Sequence, residues 1–271
     1  MGTPSLTLSQ RFQIDSRGYD LLKGVLSEDE IASCKQALLR MKSGQGAEEK
    51  GVYKNWKGDH HVLMGNLIAY DPALLPLVEE VVGGRVRLEE TEAIVNRRDP
   101  ADTDASFDSR RVHPTGFHRG TTATWGSYYE RATFHCVFVK TLAYLTDVGK
   151  DDGGTALIPG SHRMNWPESK MVESAMQDES LIHQVEAEAG DVLLFPESLV
   201  HSTTRIKSDR ERVILVSGYT PPMLKPWPGN EVDPAFIETL SEDVRPIISG
   251  SESWHWKRRF PTQSVDPDEE P

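Results

Sequence analysis

Four residues stand out for what their types and spacing could do. His201 follows the apolar run "GDVLLFPESLV" and opens "HSTTRIKSDRER", where polar residues alternate as on a strand facing a polar cavity. Thr203, two residues on, shares that face. Arg212 comes eleven residues after His201 and leads directly into Val213, Ile214, Leu215 and Val216. An arginine at the mouth of an apolar strand is costly to bury without an anion. A carboxylate ligand would satisfy it through a bidentate pair; so would a salt bridge to one of the chain's own acids. The fourth residue is His118, in "TGFHRGTTATWG". Imidazole suits iron(II), and the common site is two histidines and one carboxylate with open positions. Two residues after His118, on the same side of an extended segment, stands Gly120, which has no side chain to offer.

The elements that must position these residues fall into two halves. Ser27 and Glu30 form a capping box, and Ile31, Cys34, Leu38 and Met41 recur at helical spacing, which predicts a helix over Glu28–Met41. A second helix is expected at Pro72–Val82, closed by Gly83 and Gly84. Strands then dominate, at Arg85–Arg98, Ala132–Val148, "TALIPGSH", "LIHQVEAEAGDVLLFPESLVHSTTR" and "ERVILVSGYTP", with a loop and some helix over Asn165–Glu179. Helices first and then short strands joined by Gly, Pro and Asp turns suggest a mainly β fold, an antiparallel sandwich or barrel with flanking helices. There is no βαβ alternation and no Gly-rich phosphate loop. We expect one domain over 1–271, with a helical flank at about 18–84, a core at about 85–221 and an extension over 222–271.

The bulk composition narrows the partners. A net charge of −12 over 271 residues argues against nucleic acid or an anionic membrane and leaves a small molecule as the expected partner. Cys34 and Cys136 are the only cysteines, too few for a disulfide framework or a Cys-rich zinc site. The opening "MGTPSLTLSQ" lacks signal-peptide character, and no apolar run has transmembrane length, so a cytoplasmic location is expected. Nothing in the sequence indicates an oligomeric state. The other histidines, His60, His61, His113, His135, His162, His183 and His255, read as surface or core residues. Ser161–His162 fits a turn better than a nucleophile and base.

The successive segments "GFHRG", "YLTDVGKDDGGTALIPGSHR", "AGDVLLFPESLVHSTT" and "RERVILVSGY" resemble the signatures of the phytanoyl-CoA dioxygenase family, and "GYDLLKGVLSEDEIASCKQAL" is similar to its opening segment. The resemblance runs from about Gly18 to Tyr219. It implies a double-stranded β-helix, a cupin-like jelly roll, and an enzyme using Fe(II), 2-oxoglutarate and O2. It further implies His118 and His201 as metal ligands, Arg212 on the far carboxylate of 2-oxoglutarate with Thr203 beside it, and Asn96 near the other carboxylate.

Gly120 departs from the family's His-x-Asp. In the halogenating branch of the superfamily this position is Gly or Ala and chloride binds the iron, so Gly120 is similar to a halide site and implies chlorination of a C–H bond. Other readings stay open. Water or a carboxylate from elsewhere, Asp104, Asp108 or Glu130, could complete an oxidising site that hydroxylates; the chain could be a non-catalytic binding module; or His113 or His135 could be the true ligand. The stretch Thr121–Arg131, with Trp125 and Tyr128, is expected either to form a lid over a substrate pocket or to pack on the sheet, and Arg119 to meet an anionic substrate or a surface acid. The cluster "WHWKRRF" is expected to pack back onto the domain or a subunit partner.

Overall fold

The computed structural model describes residues 5–45, 52–53, 71–130, 132–228 and 231–251. His60, His61, His255 and the "WHWKRRF" cluster lie outside these residues.

The amino-terminal flank begins with a helix absent from the sequence expectations, α1 (Leu8–Arg17). Thr7 and Gln10 close a capping box at its start, and Gly18 ends it in the left-handed region at φ 85°. A short strand, β1 (Asp20–Leu22), leads to α2 (Glu28–Gln45), where Ser27 and Glu30 make the anticipated capping box. Next come β2 (Val52–Tyr53) and α3 (Leu75–Val82), which stops at Gly83 as expected. Apolar residues of all three helices pack on one face of the large sheet.

That sheet contains β3 (Arg87–Asn96), β6 (Val139–Tyr144), β9 (Val192–Pro196) and β11 (Arg212–Thr220), in the antiparallel order β1-β9-β6-β11-β3-β2. All nine residues of β11 are buried, and alternation sorts them. Val213 and Leu215 join the core under the helices, whereas Ile214 and Val216 turn inward with Leu142, Tyr144, Leu193 and Phe195. Arg212 shares the parity of Ile214, so the same packing aims its guanidinium into the interior. A one-residue slip of β11 would drive that charge into the helix-side core, against burial worth about 1.5–3 kcal/mol per large apolar side chain.

The opposing sheet is smaller: β10 (His201–Thr203), β7 (Thr155–Leu157) and β8 (His183–Gln184), antiparallel throughout. Single bridges add the segment around His118 to its edge, with Pro114 opposite Thr204 and His118 opposite His201. Helix α4 (Glu168–Gln177) covers the outside of this sheet through Met171 and Ala175. Two facing antiparallel sheets with helices on the outer faces make a jelly roll of the double-stranded β-helix type.

The strand expected over Ala132–Val148 is divided. Its first part, β5 (Thr133–Cys136), forms a separate hairpin with β4 (Ser127–Glu130), and only β6 joins the large sheet. Short helices α5 (Pro234–Ile237) and α6 (Arg245–Ser249) follow the last strand. Among the described residues no helix is long and apolar enough to cross a membrane.

Candidate active site

The site begins with backbone pairing. His118 and His201 exchange backbone hydrogen bonds of 2.9 Å in each direction, which sets their rings side by side with centroids 4.3 Å apart. Each ring is oriented by a carbonyl: His201 Nδ1 lies 2.8 Å from Leu199 O, and His118 Nδ1 lies 3.4 Å from Gly116 O. With the proton on Nδ1 shared with the carbonyl, the Nε2 lone pair is the one left to bind a metal. Burial, with His118 nearby, pushes the His201 pKa down to about 3, so this imidazole is neutral near pH 7. Neutral imidazole is the ligating form.

Arg212 lies deeper on the interior face and is 1% exposed. Directly across the ladder is Asn96. With its amide turned to satisfy both neighbours, Asn96 Oδ1 accepts from Arg212 Nη2 at 3.1 Å. Arg212 Nε and Nη1 find no hydrogen-bond partner among the described residues. Burial lowers its pKa to about 10, with nearby Tyr144 opposing the shift. Tyr144 is itself raised to about 12 by burial, and its hydroxyl sits 3.2 Å from Thr155 Oγ1. Thr155 is paired with Thr203 across β7 and β10. A buried guanidinium with two donors unused among the described residues, beside an amide and a tyrosine hydroxyl, has the chemistry to accept a carboxylate.

Around Gly120 the molecule departs from the sequence expectation. Gly120 N and Thr121 N both donate to the backbone carbonyl of Glu197, at 2.9 and 3.2 Å. The Glu197 side chain reaches into the space that residue 120 would fill: a Cβ placed on Gly120 would stand 2.2 Å from Glu197 Oε2. The halide-sized space expected beside Gly120 therefore holds a carboxylate. Glu197 is 2% exposed, and its Oε1 lies 3.7 Å from His201 Nε2 and 3.2 Å from Lys140 Nζ. Lys140 Nζ also stands 3.0 Å from Glu90 Oε1. Burial alone would lower the Lys140 pKa, but the carboxylates of Glu197 and Glu90 outweigh it and hold the ammonium above its ordinary range. Among the described residues no three His, Cys, Asp or Glu side chains already form a closed metal cage.

Residues 14–214 match the family model described as phytanoyl-CoA dioxygenase (PhyH). The chain belongs to the phytanoyl-CoA dioxygenase family. It is an enzyme of the dioxygenase type. No curated protein matches it. Among solved structures, HygX from Streptomyces hygroscopicus, with nickel and 2-oxoglutarate bound, is 25% identical with a TM-score of 0.68, over 83% of this chain and 90% of that one. EctD from S. alaskensis with bound Fe shares the fold at 16% identity and a TM-score of 0.58, covering 83% of this chain and 82% of its own. The alpha-ketoglutarate-dependent epimerase SnoN from nogalamycin biosynthesis does so at 19% and 0.58, covering 78% and 79%.

Within this family member, several expected site residues are placed elsewhere. Asn96 is tied to Arg212 across the ladder. Arg119 turns away from the histidines: Nη2 donates to Trp166 O at 3.1 Å and Nε lies 3.9 Å from Glu168, so it holds the start of α4. Tyr128 donates to Val82 O at 2.6 Å and stacks on His135, which joins the hairpin to α3 and makes both packing residues. Trp125 is exposed on the approach to β4. His113 is buried against Phe107. Asp104 and Asp108 pair with Arg98 and Arg110, and the acid beside Gly120 is Glu197 instead. Tyr144, Thr155, Lys140 and Glu197 were not identified from the sequence. Inward parity on β6 marks Tyr144 and Lys140; the four-residue offset from His201 was the available signal for Glu197.

Proposed function

We propose that the protein is a non-haem Fe(II)- and 2-oxoglutarate-dependent oxygenase that oxidises a C–H bond of a small molecule. The observation that carries this is Arg212, a buried guanidinium with two donors unused among the described residues, aimed into the same interior that the His118–His201 pair faces from the opposing sheet, where Phe195 packs on His201. His118 and His201 would hold the iron. Arg212, with Asn96 and the hydroxyls of Tyr144, Thr155 and Thr203, would hold the far carboxylate of 2-oxoglutarate. The iron supplies oxygen activation when bound; this chain's residues orient the cosubstrate and keep its carboxylate dry. HygX, with structures that contain iron alone or nickel together with 2-oxoglutarate, supports these groups, and its structure with nickel, 2-oxoglutarate and hygromycin B bound supports a small molecule as substrate. Glu90, Glu92 and Lys140, on the parity of inward-facing Ile94 and Leu142, support a polar one. Two free buried cysteines, Cys34 and Cys136, suit the reducing cytoplasm.

Oxygen transfer is favoured over chlorination. Gly120 alone supports chloride as a ligand, but the Glu197 carboxylate beside it would repel a halide and fills its space. The test is an anaerobic titration with Fe(II) and 2-oxoglutarate, followed by oxygen and quantification of succinate with and without chloride. Tight 2-oxoglutarate binding that disappears in Arg212→Ala is expected. Binding unchanged by that substitution would overturn the cosubstrate assignment, and a chlorinated product would overturn the preference for oxygen transfer.

A further inference from the structure

We infer that Glu197 supplies the metal-binding carboxylate that position 120 lacks, so that the iron site of this protein is His118, His201 and Glu197. The inference rests on the iron-enzyme reading above and concerns which residue completes its site.

Three observations carry it. First, Gly120 has no conformational reason to be glycine, since it is not among the residues with positive φ. What excludes a side chain there is the Glu197 carboxylate, whose Oε2 would meet a Cβ at 2.2 Å. The two positions compete for one place, and that place adjoins the histidine pair. Second, the distance fits. Glu197 Oε1 and His201 Nε2 are 3.7 Å apart, and two donors each roughly 2.1 Å from one ion can be no more than about 4.2 Å apart. The i,i+4 turn "ESLVH" and the two backbone bonds from Gly120 and Thr121 to Glu197 O hold all three segments together. Third, the Glu197 carboxylate is incompletely satisfied where it stands. It shares the Lys140 ammonium with Glu90, at 3.2 and 3.0 Å, and Glu197 Oε1 accepts no well-aligned hydrogen bond among the described residues. A carboxylate oxygen this deeply buried beside two imidazoles is a donor that a cation would satisfy. The three side chains do not form a closed cage as they stand, and holding the metal would require the carboxylate to turn from Lys140 toward the histidines.

The experiment is metal affinity measured with Co(II), followed by its visible absorption, and with Fe(II) under anaerobic conditions. Four proteins are compared: native, Glu197→Gln, Glu197→Ala, and the double variant Glu197→Ala with Gly120→Asp. We expect both single variants to bind metal more weakly by at least about tenfold. We expect the double variant, which restores an acid on the other side of the same space, to recover most of that loss. The Co(II) spectrum should change in the single variants and return toward native in the double one. Circular dichroism and thermal unfolding of the apo proteins identify any variant that fails to fold; the conservative Glu197→Gln keeps the test open if the alanine variants do. Native-like affinity and spectrum in Glu197→Gln would overturn the inference while leaving the iron-enzyme reading intact. A native protein that binds neither Co(II) nor Fe(II) would instead overturn that reading.

Discussion

Two buried charge sites on the interior face of the large sheet make opposite demands. At Arg212 a cation has the Asn96 amide and Tyr144 beside it but, among the described residues, no anion of its own. At Lys140 one cation is shared by two anions, Glu90 and Glu197. Burying an unpaired charge costs several kcal/mol, and a fold tolerates it where a ligand will supply the counter-charge. Under the proposed function the Arg212 end would take a carboxylate and the Glu197 end a cation, so that opposite charge demands would sort the two ligands.

Substitutions can break this contrast. The largest effect is expected from Lys140→Met, which leaves Glu90 and Glu197 buried together without their ammonium. Losing one partner of a buried pair costs about 3–5 kcal/mol, to be read by denaturant unfolding of the apo protein. Adding Ni(II) should recover part of the loss; no recovery would mean that Glu197 does not face the metal. Next is Arg212→Ala, where losing a buried charged partner of the cosubstrate should weaken 2-oxoglutarate by about 2–5 kcal/mol, measured by calorimetric titration. Arg212→Met sharpens the point with the opposite sign. Its apo form should be as stable as the native protein or up to about 4 kcal/mol more stable, while 2-oxoglutarate no longer raises its Tm. Asn96→Ala should cost about 1 kcal/mol of 2-oxoglutarate affinity through the lost hydrogen bond to Arg212; a large loss of metal affinity instead would return Asn96 to the other end. The smallest effect is expected at Tyr128→Phe. It should lower unfolding free energy by about 1 kcal/mol and leave 2-oxoglutarate affinity untouched, as befits a packing residue.

The Arg212 end was legible in the sequence because strand alternation carries it. His201, Thr203 and Arg212 sit on strands whose period of two fixes which way each points, and the apolar run after Arg212 reveals that it is buried. The helices at α2 and α3 were legible through their caps and closing glycines. The other end was not. Glu197 lies in the tight turn between β9 and β10, where no period applies, and it meets Gly120 across 77 residues of sequence through backbone hydrogen bonds. The hairpin of β4 and β5 was hidden for a related reason. One apolar stretch, Ala132–Val148, supplies strands to two different sheets, and the break at Val137–Phe138 has no glycine or proline to mark it. Arg119 and Tyr128 looked exposed to ligand because their partners, Trp166 and Val82, come from distant segments.

The close approach of Glu197 to Gly120 also bears on how this chain can change by mutation. An aspartate gained at 120 alone would collide with the existing carboxylate and add a second negative charge to the same space. Loss of Glu197 alone would leave the two histidines with no acid beside them. Each single step is unfavourable although the pair of steps restores a complete set, so the effects of the two positions are strongly non-additive. Such epistasis would act as a ratchet: with the acid on the far side of the space, a single substitution at either position would lose metal affinity, and only the paired change would keep it.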